Sequence, residues 1–194
     1  MKLAVIVGSV REGRVTDRLA KWAAEEAAKH AEVEVLDLKD YPMPFFDEAI
    51  SPRYNPERKA VPAVKKFLDK IAEFDGYIVV TPEYNRSTSG VLKNAIDYLD
   101  YQMEQKPVAL VGHGSSGGAQ AIANLRMAFP GVGAVTIPTA LFFSQRVGEV
   151  LDEEGTLAQE VKAAPYGPHN ALEAQVENLL WYAEALATAR AKDA

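Results

Sequence analysis

Cysteine is absent from all 194 residues. That excludes disulfides, thiolate catalysis and Cys-ligated metals. Histidine is scarce: His30, His113 and His169 stand far apart, without the spacing of a metal site. No apolar run approaches the ~18 residues that a membrane-spanning helix needs. Met1-Lys2 leads into only a short, strand-like apolar run, so no signal peptide is expected. An excess of positive charge is missing too. Lys and Arg total 21 against 27 Asp and Glu, a net charge of −6. General binding to nucleic acid or an anionic membrane is therefore not expected, and any anionic ligand needs a local basic site. Repeats and low-complexity segments are absent. What remains is ordinary, with 48% hydrophobic and 25% charged residues. The expectation is one soluble, cytoplasmic domain spanning 1–194 that buries a full core.

Strand and helix patterns alternate along the chain, which argues for an α/β fold with a parallel sheet. Strands are expected at Lys2–Val7, Val33–Leu38, Tyr77–Val80 and Val108–Val111, and within Ala134–Phe143. Helical stripes run through Val15–Lys29, through Val61, Val64, Leu68 and Ile71, through Leu92, Ala95, Ile96 and Leu99, through Ala121, Ile122, Leu125 and Phe129, and from Leu172 to Leu186. A Pro- and aromatic-containing loop covers Lys39–Ala60, and a polar segment with a turn at Asp152-Glu153-Glu154-Gly155 fills Gly148–Ala164. The first, third and fourth strands are continuously apolar, as buried parallel strands are. The second carries Glu34 and Asp37, and the fifth carries Pro138, which suits an edge. The order 2-1-3-4-5 puts both at edges. It is a flavodoxin-like, doubly wound, five-stranded arrangement with helices on both faces.

The loop Gly8-Ser9-Val10-Arg11-Glu12-Gly13-Arg14-Val15-Thr16 joins a strand to a helix. Such a turn aims backbone N–H groups at an anion. Arg11, Arg14 and Arg18 surround a helix N-terminus, where cations oppose the helix dipole. Glu12 and Asp17 or solvent would compensate them; so would a bound phosphate, which the Ser9 and Thr16 hydroxyls favour. Ligands of an open α/β sheet bind beyond the carboxyl ends of its strands, at the switch in strand order. That brings two more loops to the same cleft: Thr81-Pro82-Glu83-Tyr84-Asn85-Arg86-Ser87-Thr88-Ser89-Gly90 and Gly112-His113-Gly114-Ser115-Ser116-Gly117-Gly118. A planar heteroaromatic ring with a phosphate tail suits the set. The first loop takes the phosphate, the second bonds the ring edge beside Tyr84, and glycines of the third admit the ring to the main chain.

These motifs, with Gly90-Val91-Leu92-Lys93-Asn94-Ala95-Ile96-Asp97 after the second loop, resemble the NAD(P)H-dependent FMN reductase family, the flavodoxin-like flavin and quinone reductases. The similarity covers the chain to about Phe143. It implies FMN phosphate on Ser9, Arg11, Arg14 and the Val15–Thr16 backbone. It implies ring contacts from Pro82, Glu83, Tyr84 and Asn85, and from Gly114, Ser115, Ser116 and Gly117. Hydride from NAD(P)H then passes through N5 of the flavin to a small-molecule acceptor such as free flavin or a quinone, and no side chain is expected to act as a catalytic acid or base. Family members pair beside the flavin cleft, which implies a homodimer or homotetramer. Tyr98 and Tyr101, off the core stripe of their helix, are the expected contact; covering the Lys39–Ala60 loop is their other reading. Two positions depart from the family pattern. Ser89, where many relatives have Pro, is expected to loosen the start of its helix. Gln120, where many have Arg, removes whatever subunit contact that Arg makes.

Other readings stay open. A flavodoxin-like electron carrier shares the fold but has no NAD(P)H activity; the Gly/Ser-rich third loop leaves the ring open and favours an enzyme. A dinucleotide-binding reading of Gly8–Gly13, with Asp37 on a ribose, fails at Val10, where backbone approach needs glycine. Gly114-Ser115-Ser116-Gly117-Gly118 formally matches G-x-S-x-G, with Asp152 and His169 in hydrolase order, so a serine hydrolase built on Ser116 is the remote alternative. His113 either faces the flavin or turns to solvent. Tyr41, Phe45 and Phe46 either wall a substrate pocket or cover the sheet edge.

Overall fold

The computed structural model describes residues 1–55 and 57–193. Strands β1 (Lys2–Val7), β2 (Glu32–Asp37), β3 (Gly76–Pro82), β4 (Pro107–His113) and β5 (Val135–Phe143) form one parallel sheet. Their order is β2-β1-β3-β4-β5, as expected. Every residue of β3 and β4 is buried, whereas β2 and β5 mix buried with exposed positions. Between the strands lie α1 (Thr16–Ala28), α2 (Pro62–Ala72), α3 (Gly90–Asp97) and α4 (Ala119–Gly131); after β5 come two short helices, α5 (Val147–Val150) and α6 (Gln159–Lys162), and the long α7 (Pro168–Asp193).

Strand alternation sorts the core into two layers. Ala4 and Ile6 of β1, Tyr77 and Val79 of β3, and Val108 and Leu110 of β4 pack with α2, α3 and α4. Leu3, Val5, Val7, Ile78, Val80, Ala109 and Val111 pack with α1 and α7. Trp22 belongs to this second layer, edge-on to Phe143 at 5.8 Å. Trp181 stays on the surface beside Tyr182. Val61, expected on the stripe of α2, lies just outside it and is half exposed. Pro62 takes the first helical position and holds the preceding residue in extended backbone.

Pro138 sits where the β4–β5 register slips: Val108 faces Thr136, but Leu110 faces Ala140. Side chains satisfy the carbonyls freed by this irregularity. Arg126 donates to Ile137 O (2.9 Å) and Pro138 O (2.7 Å). The buried Gln175 amide of α7 donates to Leu110 O (3.0 Å) and Thr139 O (3.2 Å).

The Lys39–Ala60 loop folds back over α3. Asn94 clamps it, accepting from Phe46 N at 2.9 Å and donating to Pro44 O at 2.8 Å. This corrects the expectation for the tyrosines. Tyr98 is buried, packs edge-on to Phe46 and donates to Pro44 O at 3.2 Å. The Tyr101 hydroxyl donates to Arg53 O at 2.9 Å. Both contact the loop of their own chain; Tyr98 is buried by it, whereas the Tyr101 ring stays half exposed. Residues 144–167 close over α1, with Val147, Leu151 and Leu157 entering the second layer. Among the described residues, no helix is long and apolar enough to cross a membrane.

Candidate active site

All five strands end at the same rim of the sheet, and the chain's path switches sides between β1 and β3. The loops after β1, β3 and β4 meet there, as expected. Gly8 N donates to Val80 O at 2.8 Å. A Cβ on Gly8 would stand 2.7 Å from that same oxygen, so only glycine lets β1 turn this close to β3.

In the first loop Ser9 and Thr16 are both fully buried. Ser9 Oγ lies 3.0 Å from the Tyr84 hydroxyl and accepts from Arg11 N at 3.3 Å. Thr16 Oγ1 lies 2.9 Å from His113 Nε2. Helix α1 starts after Val15, which gives it no side-chain cap. Its first N–H groups carry the positive end of the helix dipole toward the loop.

The three arginines divide. Arg14 pairs with both carboxylate oxygens of Asp37 and also donates to the Ser9 carbonyl; only 11% of its side chain is exposed. Asp37 is the register partner of Val7, which puts the acid level with the start of the loop. Arg14, expected as a phosphate ligand, also braces the loop backbone through these bonds. The same pair accounts for the acid at the end of β2 without a ribose. Arg18 turns to the 151–157 segment, donating to Leu151 O at 3.3 Å and standing 3.6 Å from the Glu153 carboxylate. Arg11 has no carboxylate partner among the described residues; its guanidinium carbon lies 6.0 Å from the centre of the Tyr84 ring.

The second loop is a two-residue hairpin. Tyr84 N donates to Ser87 O (2.8 Å) and Ser87 N to Tyr84 O (3.0 Å). Asn85 and Arg86, at φ 50° and 68°, adopt the left-handed backbone of such a turn. Ser89, expected to loosen α3, tightens it instead. Its hydroxyl accepts from Leu92 N at 3.2 Å as a helix cap and donates to Gly8 O at 2.5 Å. A serine thus ties the first loop to α3, which a proline cannot do.

The third loop is bound to the second through Glu83. Glu83 N donates to His113 O at 2.9 Å. Its carboxylate accepts from Ser116 Oγ at 2.8 Å and from Gln120 N, in the first turn of α4, at 2.9 Å. Burial opposes ionisation of Glu83. The Ser116 hydroxyl, the N–H groups of Gln120 and Ala121 and the charge of Arg86 outweigh it and hold the carboxyl below its ordinary range. Gly118 takes φ 78°, and a Cβ there would stand 2.6 Å from the Gly112 backbone. His113 is buried rather than turned to solvent, and burial lowers its pKa to about 4. The three loops therefore close a ring of contacts: Ser9–Tyr84, Glu83–Ser116 and His113–Thr16.

This arrangement fits the phosphate ester of a flavin mononucleotide. An uncapped helix N-terminus, two buried hydroxyls and one arginine without an acid converge on the first loop. It does not fit a hydrolase. Ser116 bonds a carboxylate, while His169 stands 3.7 Å from Glu26 and Asp152 accepts from Thr156 N at 2.7 Å. The G-x-S-x-G match brings no histidine to its serine.

The sequence profile of the NADPH-dependent FMN reductases matches residues 1–148. The chain belongs to this family. An NAD(P)H-dependent FMN reductase of Nectria sp is 36% identical over 136 residues, covering 64% of this chain and 65% of the relative. A 2-hydroxy-1,4-benzoquinone reductase of Burkholderia sp is 35% identical over 133 residues, covering 65% and 68%. Among solved structures, the flavoenzyme NAD(P)H:(acceptor) oxidoreductase FerB of Paracoccus denitrificans superposes with a TM-score of 0.75 at 27% identity, over 95% of this chain and 97% of that one. Membership in the FMN reductase family makes the chain an FMN-dependent oxidoreductase with NAD(P)H as co-substrate.

Three features of the site are missed by sequence reasoning: His113 as the link between loops, Asp37 as the partner of Arg14, and Ser89 as a cap. Each depends on a contact between segments far apart in the chain. The Ser89 cap alone carried a local signal, a serine directly before a helical pattern.

Proposed function

We propose that the chain 1–194 acts as one flavin-binding domain that passes reducing equivalents from NAD(P)H to a small quinone-type acceptor. FMN, when bound, supplies the hydride chemistry. The first loop holds its phosphate through Arg11, the Ser9 and Thr16 hydroxyls and the N–H groups that follow Val15, while Arg14 fixes the shape of that loop. Pro82, Glu83, Tyr84 and Asn85 border one edge of the ring. Gly114, Ser115, Ser116 and Gly117 border the other, and the small residues of this turn leave a face open for nicotinamide and acceptor in turn. The observation that carries the reading is the convergence of the uncapped α1 N-terminus with Arg11 and two buried hydroxyls. The quinone class follows the Burkholderia relative and the general acceptor of FerB.

A homodimer or homotetramer and a cytoplasmic location complete the proposal. Two exposed aromatics support pairing: Phe142, against whose Cβ a side chain at Gly117 would press, and Trp181 on α7. Light scattering tests the mass. For the activity, the purified chain is incubated with FMN or FAD and desalted, and NADPH oxidation is followed with a benzoquinone. Retained FMN and steady turnover are expected. Retention of FAD alone, or of FMN without turnover on NADPH or NADH, overturns the reading; the latter describes an electron carrier.

A further inference from the structure

Glu83 and Arg86 are the charged residues of the second and third loops; His113, the other titratable group there apart from Tyr84, is buried and held neutral. The two charges are held in opposite ways. The Glu83 carboxylate is fixed. It accepts from Ser116 Oγ at 2.8 Å and from Gln120 N at 2.9 Å. It thereby caps α4, whose own N-cap residue, Gly118, has no side chain to do so. These donors are neutral, so the negative charge stays, and the positive end of the α4 dipole supports it. The carboxyl is ionised at neutral pH. Arg86 is fixed only by its backbone. It sits at φ 68°, a conformation that side-chain-bearing residues seldom adopt, and Asn124 Nδ2 donates to its carbonyl at 3.0 Å. Its side chain is exposed, with no carboxylate within ion-pair distance among the described residues.

A fixed charge beside a redox ring acts on the difference between the two states of that ring. Hydride brings two electrons and one proton to N5, and the nicotinamide leaves oxidised, as a cation. The ring side of the balance gains one negative charge, which lasts until a proton arrives from solvent. A carboxylate nearby disfavours that gain, and a guanidinium favours it. Glu83 is half-buried and rigid, whereas water screens the exposed Arg86. The carboxylate is therefore the stronger of the two. We propose that Glu83 lowers the reduction potential of a flavin held by the three loops, that Arg86 raises it by less, and that the pair sets how strong a reductant the site becomes. The proposal rests on the flavin reading above. Capping α4 accounts for the contacts of Glu83, but a cap alone leaves the potential indifferent to its charge.

The test measures the midpoint potential of the FMN-loaded wild type, Glu83→Gln and Arg86→Glu by anaerobic titration against a redox dye of known potential. Glu83→Gln keeps the shape of the side chain and removes its charge. It is expected to shift the equilibrium toward reduced flavin about tenfold, a rise of about 30 mV for a two-electron couple. Arg86→Glu reverses an exposed charge at the tip of the hairpin. It is expected to shift the equilibrium the other way, about fivefold, a fall of about 20 mV. A Glu83→Gln protein that keeps FMN at an unchanged or lowered potential overturns the proposal. So does a shift of both variants in the same direction, which reports a change of loop shape and not of charge. If Glu83→Gln fails to hold FMN, Arg86→Glu decides: a lower potential supports the proposal, and an unchanged or higher one overturns it. Failure of the wild type to take up FMN at all is a different result: it overturns the flavin reading itself.

Discussion

Thr16 at the start of α1 and His113 at the end of β4 share a hydrogen bond of 2.9 Å, and both are buried. The bond couples the loop after β1 to the loop after β4. Burial lowers the His113 pKa from 6.5 to about 4, so the folded protein holds it neutral. Between these values the unfolded chain binds more protons than the folded one. Stability is therefore full above pH 6.5 and falls as the pH drops toward 4, by on the order of 2–3 kcal/mol. Chemical denaturation at pH 7 and pH 5 measures the difference. His113→Gln, which keeps a polar nitrogen but cannot titrate, is expected to flatten this dependence.

Arg11 and Arg14 are expected to fail in different ways. Arg11→Ala removes a charge-assisted bond to phosphate and weakens FMN binding roughly ten- to a hundredfold, with little change in unfolding temperature. Arg14→Ala and Asp37→Ala each leave a partly buried partner unpaired and cost about 1–3 kcal/mol of stability. The double variant is expected to cost less than the sum of the two, because the pair is lost only once. Flavin titrations and a double-mutant cycle separate the roles.

Ser116 is expected to be inert as a nucleophile. Its hydroxyl donates to the Glu83 carboxylate, and no histidine serves it. A fluorophosphonate probe is therefore expected to leave the protein unlabelled. Stoichiometric capture that Ser116→Ala abolishes would restore the hydrolase reading.

Gln175 holds the irregular β4–β5 pairing together from α7. Gln175→Leu fills similar space but leaves the Leu110 and Thr139 carbonyls without that donor. The expected loss is about 1–3 kcal/mol in urea denaturation. Flavin affinity is expected to hold, because the irregularity lies away from the three loops.

The sheet was legible in the sequence because its evidence is periodic and local. Continuous apolar runs mark β3 and β4 as buried, and Glu34, Asp37 and Pro138 mark the two edges. The three loops were legible for the same reason: each follows a strand, and each carries glycine or hydroxyl residues in one short segment. What side chains do across the fold was not. Tyr98 reads as an outer-face aromatic until the Lys39–Ala60 loop is laid over it. Arg14 reads as a free cation until strand pairing brings Asp37 level with Val7. Ser89 reads as a weakened helix start until Gly8 O arrives from β1. Periodicity in the sequence carries no record of such pairings.

We propose hydride exchange between NAD(P)H and a quinone through an FMN held by the three loops. Its most direct test is the visible absorbance of the FMN-loaded protein under anaerobic conditions. Addition of NADPH is expected to bleach the flavin band, and a benzoquinone added afterwards is expected to restore it. A bound flavin whose spectrum neither NADPH nor NADH alters would contradict the account.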